Sequence, residues 1–242
     1  MHTAMKQILN LYKSKYPFES FYNLASVKIM KNNRLLGDNY PYLVDNLPNI
    51  NPDFKANPGD IRVDLPIWFG NPSKVKLKVM ILGREPRNSH DKYNIEARNE
   101  HKFVYGTPFG IEYWTEKNKY YRSFKNLIRN DEILTYFSDV VKSYEVKQSK
   151  SESDLHAKVG FWKKAEVEND NLVFLKAEVD LLNPNIIIGL GNDSYNFLRK
   201  HFSSSFNVQK VIHPNARQNK KTGMNAWETA EIEIGEIIKS LK

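Results

Sequence analysis

The stretch Lys76–Gly83, Lys-Leu-Lys-Val-Met-Ile-Leu-Gly, runs directly into the polar sequence Arg84-Glu85-Pro86-Arg87. Its second half is an uninterrupted apolar run, which is typical of a strand covered on both faces, as in a parallel sheet. Three later segments have the character of further strands, namely Tyr136–Lys142, Asn185–Leu190 and Gln209–His213. The sequence therefore predicts a short, central, four-stranded parallel sheet.

The segments between these strands place apolar residues at the three- and four-residue spacing of amphipathic helices. The helix before the last strand is expected to be capped by Asn192-Asp193-Ser194. This alternation of strands and helices predicts an α/β fold, a three-layer α/β/α sandwich around the sheet. The apolar stripes are Tyr121-Phe124-Leu127-Ile128, Leu172-Leu175-Val179-Leu182, Tyr195-Leu198-Phe202 and Trp227-Ala230-Ile234-Ile238-Leu241.

The first 74 residues differ in character from the rest of the chain. Apolar spacing predicts helices within residues 1–31, whereas residues 41–72 contain six of the eleven prolines. Because proline lacks a backbone donor and clashes with the preceding helical turn, the second stretch is expected to be extended. We therefore expect two parts, an N-terminal helical and Pro-rich segment over residues 1–74, packed on the core, and an α/β/α domain over residues 75–242.

The composition excludes several classes of protein. The 242 residues include no cysteine, which excludes disulfides, thiolate nucleophiles, cysteine-bound zinc and iron–sulfur clusters, and which fits a cytoplasmic protein. No apolar run approaches the roughly 18 residues that a membrane span requires. Lysine and arginine outnumber aspartate and glutamate by 36 to 28, for a net charge of +8. This surplus fits a phosphate-bearing partner, and it fits ordinary surface charge equally well.

Polar residues stand at the carboxyl end of each predicted strand, where parallel sheets form their sites. Glu85 follows the first strand, Asp139 lies in the second, and His213 ends the fourth. Glu85 or His213 alone would also fit a surface loop, but a buried acid such as Asp139 costs several kcal/mol unless it is partnered. The turn Gly189-Leu190-Gly191 lacks the third glycine of a dinucleotide fingerprint, so we interpret it as a plain strand-to-helix turn. Together these residues predict an acid–base site at one edge of the sheet.

The order of these motifs resembles that of the uracil-DNA glycosylase superfamily. The resemblance covers roughly residues 75–230, and it depends on the joint order of short motifs rather than on any one of them. The matching motifs are Gly83-x-Glu85-Pro86, Gly106-x-x-Phe109, Asp139 in the second strand, the Leu190-Gly191 turn and His213-Pro214-Asn215.

The resemblance implies a monomeric, metal-independent DNA glycosylase without a cofactor, acting in base-excision repair on a deaminated or modified base that is flipped out of single- or double-stranded DNA. Glu85 would orient or activate the attacking water, and His213 would stabilise the departing base. Phe109 would stack on the base, and Asp139 would read its edge. The residues implied at the base are Gly83, Arg84, Pro86, Phe109 and Asp139. The residues expected to contact DNA are Arg87, Asn215, Arg217, Lys142, Lys220 and Lys221.

Asp139 departs from the family pattern, which has asparagine at this position. Asparagine offers a donor and an acceptor, whereas an ionised aspartate only accepts. A protonated Asp139 would mimic asparagine, and an alternative is pairing with a base that carries an amino group. Two other functions stay open, a catalytically silent nucleic-acid-binding module on the same fold and an enzyme that acts on free nucleosides or nucleotides.

Overall fold

A computed structural model describes residues 3–15, 61–71, 73–85, 103–145, 165–217 and 223–241. A short 3-10 segment, Pro108–Tyr113, precedes the second helix. The helices are α1 (Thr3–Lys15), α2 (Lys119–Ile128), α3 (Ala165–Leu182), α4 (Gly191–Phe202) and α5 (Ala226–Ser240). The strands are β1 (Ile61–Asp64), β2 (Ile67–Phe69), β3 (Leu77–Gly83), β4 (Phe103–Gly106), β5 (Ile133–Asp139), β6 (Ser143–Glu145), β7 (Ile186–Leu190) and β8 (Val208–Val211).

The central sheet has five strands in the order β2-β5-β3-β7-β8. The four predicted strands β3, β5, β7 and β8 run parallel to one another, and β2 pairs antiparallel with β5. The α/β prediction is thus confirmed, with a mostly parallel sheet. The prediction of four strands is corrected to five, because β2 is only three residues long and follows Pro66, which leaves no recognisable strand pattern.

Strand β3 is buried on both faces, as its apolar run predicts. Met80 and Leu82 belong to one hydrophobic core, which also contains residues of α1, α3 and α4. Val79 and Ile81 belong to a second core, which contains residues of α2 and α5. Because successive side chains of a strand point to opposite faces, helices cover the sheet on both sides, and the three-layer arrangement follows.

A smaller sheet of three strands has the order β4-β1-β6, with β1 parallel to β4 and antiparallel to β6. Both β1 and β2 lie in the Pro-rich stretch, where the sequence predicted extended chain. They also precede the predicted boundary between residues 74 and 75. The N-terminal segment therefore supplies an edge strand of the central sheet, and the domain boundary between residues 74 and 75 stays a prediction.

The predicted helices are present in the described residues, with one wrong detail. Helix α4 begins at Gly191, so Asn192-Asp193-Ser194 lies inside its first turn and does not cap it. Helix α5 has the better cap, because Glu228 Oε2 accepts the main-chain N–H of Asn225 at 2.8 Å. Of the N-terminal helices, α1 is described and residues 16–31 lie outside the described ranges. Among the described residues, no helix combines the length and the apolar character needed to cross a membrane.

Candidate active site

The carboxyl ends of β3 and β5 lie side by side and carry two of the predicted site residues. Gly83 is in register with Asp139, which ends β5. Beyond the ladder, Val140 donates its main-chain N–H to the Gly83 carbonyl at 3.0 Å, and Val141 donates to the Arg84 carbonyl at 2.9 Å. These bonds keep the segments after β3 and β5 side by side beyond the end of the sheet. Glu85 and Asp139 therefore lie at the same edge of the sheet.

Gly83 lies close to the side chains of both Asp139 and Phe109, and we call the site that these three residues line the pocket. A Cβ atom at position 83 would overlap Asp139 Oδ1 and would lie 2.8 Å from Phe109 Cε1. Glycine is therefore required here by the close approach of two side chains. The Phe109 ring lies 5.0 Å from the Tyr120 ring, centroid to centroid, and also packs on Phe137. The pocket thus has an aromatic wall next to a carboxyl group.

Phe109 is held in a backbone conformation that bulky residues avoid. Its φ is 60°, in the left-handed region, at a cost of about 1–3 kcal/mol. Two hydrogen bonds stabilise the turn, one from the Gly110 N–H to the Thr107 carbonyl at 3.0 Å and one from Trp114 Nε1 to the Phe109 carbonyl at 3.1 Å. The strained turn places the ring next to Gly83.

The Asp139 carboxyl is buried at the bottom of this pocket, and the residue is only 4% exposed. Burial raises its pKa to about 7, against the opposing effect of Lys142, and the negative charges of Glu85 and Glu178 raise it further. Oδ2 receives no hydrogen bond from the described part of the chain. Near neutral pH this carboxyl therefore exchanges between a form that donates and accepts hydrogen bonds and a form that only accepts.

His213 follows β8 and lies at the same edge of the sheet as Glu85 and Asp139. Its imidazole ring is neutral. Its Nδ1 lies 3.3 Å from the main-chain N of Asn215, which donates to it, so the neutral ring carries its proton on Nε2. Burial lowers the pKa of His213, and the nearby Arg84 guanidinium lowers it further. At neutral pH the histidine is thus an uncharged donor through Nε2.

Tyr120, on α2, joins the histidine to the aromatic wall. Its hydroxyl lies 3.3 Å from His213 Nε2, and its ring lies 5.6 Å from the imidazole, centroid to centroid. Burial raises the pKa of Tyr120 well above its ordinary value, so the phenol stays protonated. Sequence reasoning missed this residue, because it stands next to Tyr121 in the core stripe and carries no motif of its own.

Glu85 is held by a salt bridge in a nearly buried position. Its side chain is 3% exposed, and Arg84 Nη2 lies 2.7 Å from Glu85 Oε1. Arg84 Nη1 lies 3.0 Å from Asp193 Oδ2, so the arginine links the end of β3 to the first turn of α4. This link fixes the direction of the Glu85 carboxylate. From its place in the sequence, Asp193 is predicted only to be part of a helix cap.

Lys142 has a different place from the one predicted. Its side chain is fully buried, and Nζ lies 2.5 Å from Glu178 Oε2 and 2.8 Å from Ser138 Oγ. A lysine that is buried and paired with a glutamate does not reach a phosphate on the surface. Its position contradicts the prediction that Lys142 contacts DNA, and the error arose because an exposed strand end and a buried one look alike in sequence.

The remaining predicted residues lie on the surface or outside the described ranges. Asn215 and Arg217 are exposed in the turn after β8, which suits a contact with DNA. Pro86, Arg87, Lys220 and Lys221 lie outside the described residues, so their predicted roles stay predictions. Within the described ranges, no group of three or more histidine and carboxylate side chains is arranged to hold a metal ion.

The mostly parallel sheet, its helical layers and the polar pocket at its strand ends define an α/β/α protein with a site at the carboxyl edge of the sheet. The family model described as the uracil DNA glycosylase superfamily matches residues 69–233, from the end of β2 into α5, and the chain belongs to this superfamily. The predicted resemblance is thereby confirmed, and membership supports a glycosylase-type hydrolase that acts on DNA. A search of curated proteins found no match.

Proposed function

We propose that this chain is a DNA glycosylase that hydrolyses the N-glycosidic bond of a deaminated or modified, uracil-like base. The observation that carries the proposal is that a carboxyl group, an aromatic ring and a glycine lie close together at the strand ends, in Asp139, Phe109 and Gly83. A flipped base needs an aromatic surface to stack on and a polar group at its edge, and the pocket offers both.

The reaction separates charge, and the site has a group for each end. As the bond between C1′ and the base nitrogen breaks, its electron pair leaves with the base, and the sugar becomes positive. Glu85 would stabilise the sugar and accept a proton from the water whose oxygen bonds to C1′. His213 would donate from Nε2 to a carbonyl oxygen of the base, and the neutral ring supports that role because its only proton is on this nitrogen.

Base selection would depend on the protonation of Asp139. The neutral carboxyl offers an acceptor and a donor, which match the N3–H and O4 of uracil. The ionised carboxyl only accepts, which opposes O4 and suits an amino group instead. Because burial raises the pKa of Asp139 to about 7, the neutral form is substantially populated at neutral pH, and this population supports a uracil-like substrate.

A second function, a silent nucleic-acid-binding module, is favoured by one observation. Oε1 of Glu85 already accepts a hydrogen bond from Arg84 at 2.7 Å, so this oxygen is engaged by the arginine rather than by a water. If the bond persists with DNA bound, the chain would hold nucleic acid without cutting the glycosidic bond.

A base-release assay tests the two functions against each other. Single- and double-stranded oligonucleotides would each carry one uracil, hypoxanthine, xanthine or hydroxymethyluracil, with alkali to cut abasic sites. We expect release by the wild type and a loss of at least about 100-fold in Glu85→Gln and in His213→Ala. Glu236→Gln, an exposed change on α5, is the matched control and should keep the wild-type rate.

Wild-type rates in both site variants would contradict the assignment of Glu85 and His213. Binding of the oligonucleotides without release of any base would replace the glycosylase by the binding module. Turnover of mononucleosides alone would favour an enzyme of free nucleosides.

A further inference from the structure

A closed cluster of buried polar groups lies on the face of β5 opposite the pocket. Its centre is the ion pair between Lys142 Nζ and Glu178 Oε2, 2.5 Å apart, and neither side chain has any exposed surface. Glu178 Oε1 accepts hydrogen bonds from Tyr12 at 3.1 Å, from Ser138 at 3.0 Å and from Tyr136. The two charges are thus neutralised by each other and by hydroxyl groups from α1 and β5.

The cluster touches the pocket through the main chain of Asp139. Lys142 Nζ donates to the Asp139 carbonyl oxygen as well as to Ser138 Oγ. Along β5 successive side chains alternate between the two faces of the sheet, so Ser138 points to the cluster and Asp139 points to the pocket. Lys142 therefore holds the main chain of Asp139 from the opposite face of the sheet, while the Asp139 carboxyl lies at the pocket.

Stability alone does not account well for such a pair. Removing two ions from water costs several kcal/mol each, and apolar replacements of buried ion pairs are often neutral or stabilising. The pair nevertheless lies next to the end of β5, where the main chain leaves the sheet. Its charge acts on the carboxyl at the same time as its hydrogen bond holds the backbone.

We propose that Lys142, paired with Glu178, is a positioning residue that fixes the Asp139 main chain at the end of β5. The lysine charge also favours the ionised form of the Asp139 carboxyl. The inference rests on the proposed function only in giving Asp139 the task of reading a base. Without the pair, the neutral form of Asp139 would persist to higher pH.

Besides burial, four groups act on the charge of the Asp139 carboxyl. Burial raises its pKa most; Lys142 is the strongest opposing influence, and a side-chain hydrogen bond with Asp64, at the end of β1, also lowers it. Glu85 and Glu178 raise it, and the phenol of Tyr120, on α2, faces it as a neutral group. Because the effect of Lys142 exceeds that of Glu178, removal of both charges should raise the pKa of Asp139.

The test is the double variant Lys142→Met with Glu178→Gln, in which the glutamine oxygen still accepts from the three hydroxyls. The protein would be labelled with 13C at the aspartate side-chain carboxyls, and the Asp139 resonance would be assigned by its absence in Asp139→Asn. We expect the midpoint of its titration to rise by roughly one pH unit relative to the wild type. The pH profile of uracil release should move by the same amount.

Val179→Ala, a cavity variant one residue from Glu178 on α3, is the matched control. It should lower the melting temperature and leave the Asp139 midpoint in place. If the first double variant does not fold, Lys142→Met with Glu178→Leu replaces both charges by apolar groups, and we expect the same upward shift.

A folded double variant with an unchanged Asp139 midpoint would overturn the proposal. Failure of both double variants to fold would also overturn it, because the pair would then serve the fold itself. The carboxyl titration needs no turnover, so a shifted midpoint in a protein that releases no base would support the positioning role and reject the glycosylase instead.

Discussion

Asp139 makes the stability of the protein depend on pH in a direction unusual for an aspartate. Its folded pKa is raised to about 7 by burial, from an ordinary value of 3.8, so the folded state favours the neutral carboxyl. The stability that comes from this neutral form is fully present below about pH 4 and is lost as the pH rises through 7. We expect Asp139→Asn to be more stable than the wild type at pH 8, by on the order of 2–4 kcal/mol, and nearly equal to it at pH 4.

Urea unfolding at the two pH values measures this difference. Asp180→Asn, an exposed change on α3, serves as the control and should alter stability little at either pH. An effect of Asp139→Asn that is the same at pH 4 and pH 8 would show that the carboxyl is not held neutral in the folded state.

The same carboxyl predicts the pH profile of uracil release. Only the neutral form of Asp139 presents the donor that O4 of uracil needs, so release should rise as the pH falls from 8.5 to 6, with a midpoint near 7. The pKa of His213 is lowered by burial and by Arg84, which favours the neutral histidine. Initial rates on a uracil oligonucleotide would measure the profile, and Asp139→Asn should flatten it, because an amide does not titrate. A profile with the same slope in both proteins would place the titrating group elsewhere.

At the level of the elements, the end of β3 tolerates no side chain at position 83. We expect Gly83→Ala to reduce base release by at least about 100-fold, because its Cβ would push into Asp139 Oδ1 and the Phe109 ring. Gly235→Ala on α5 is the matched control, since nothing lies within 4 Å of its added Cβ. That control should stabilise the protein by about 0.5–1 kcal/mol through helix propensity and leave release unchanged.

Base-release rates and thermal melting of the two alanine variants separate the local clash from a general glycine effect. If Gly83→Ala releases the base at the wild-type rate, the close approach of Asp139 and Phe109 to Gly83 is not needed for base release.

The parallel core of the sheet could be predicted from sequence, but its edges could not. Strands β3 and β7 are continuous apolar runs, and no other structure explains such runs between amphipathic helices. The predicted β5, residues 136–142, is shifted from the observed Ile133–Asp139, because the apolar pair Val140-Val141 looks like strand although its N–H groups bond beyond the ladder.

The site, like the sheet, could be predicted from sequence only in part. Motif order brought Glu85, Asp139 and His213 to one edge, because strand ends of a parallel sheet converge whatever their separation in sequence. Tyr120 reaches the site, and Glu178 reaches the cluster on the opposite face of β5, from helices whose local pattern shows only a core-facing stripe. Which polar residue on such a helix meets the strand ends depends on how the helix is rotated and placed, and no short motif encodes that placement.

For the whole molecule, the N-terminal helix is part of the structure that supports the site, although it lies outside the matched residues 69–233. Ile8 and Tyr12 are completely buried, and the Tyr12 hydroxyl lies 3.1 Å from both Ser138 Oγ and Glu178 Oε1. We expect Tyr12→Phe to destabilise the protein by about 1–3 kcal/mol, because it removes a donor from a buried carboxylate.

Denaturant unfolding of Tyr12→Phe alongside Tyr195→Phe tests this expectation. The Tyr195 hydroxyl, on α4, makes no hydrogen bond in the described part of the chain, so its removal should cost much less. Equal losses in the two variants would mean that the Tyr12 hydroxyl contributes nothing specific.

The bond between Tyr12 and Glu178 joins residues 166 positions apart in the chain. At a synthesis rate of 5–20 residues per second, α1 would leave the ribosome about ten to thirty seconds before its acceptor exists. Closing so long a loop is also slow relative to forming local helices. Lys142 is synthesised 36 residues before Glu178 (178 − 142), so for about the last two to seven seconds of that interval the nascent chain carries Lys142 without its counter-ion. The pocket would therefore be among the last parts of the protein to assemble, and a prematurely released fragment would gain strands and helices long before it gained a site.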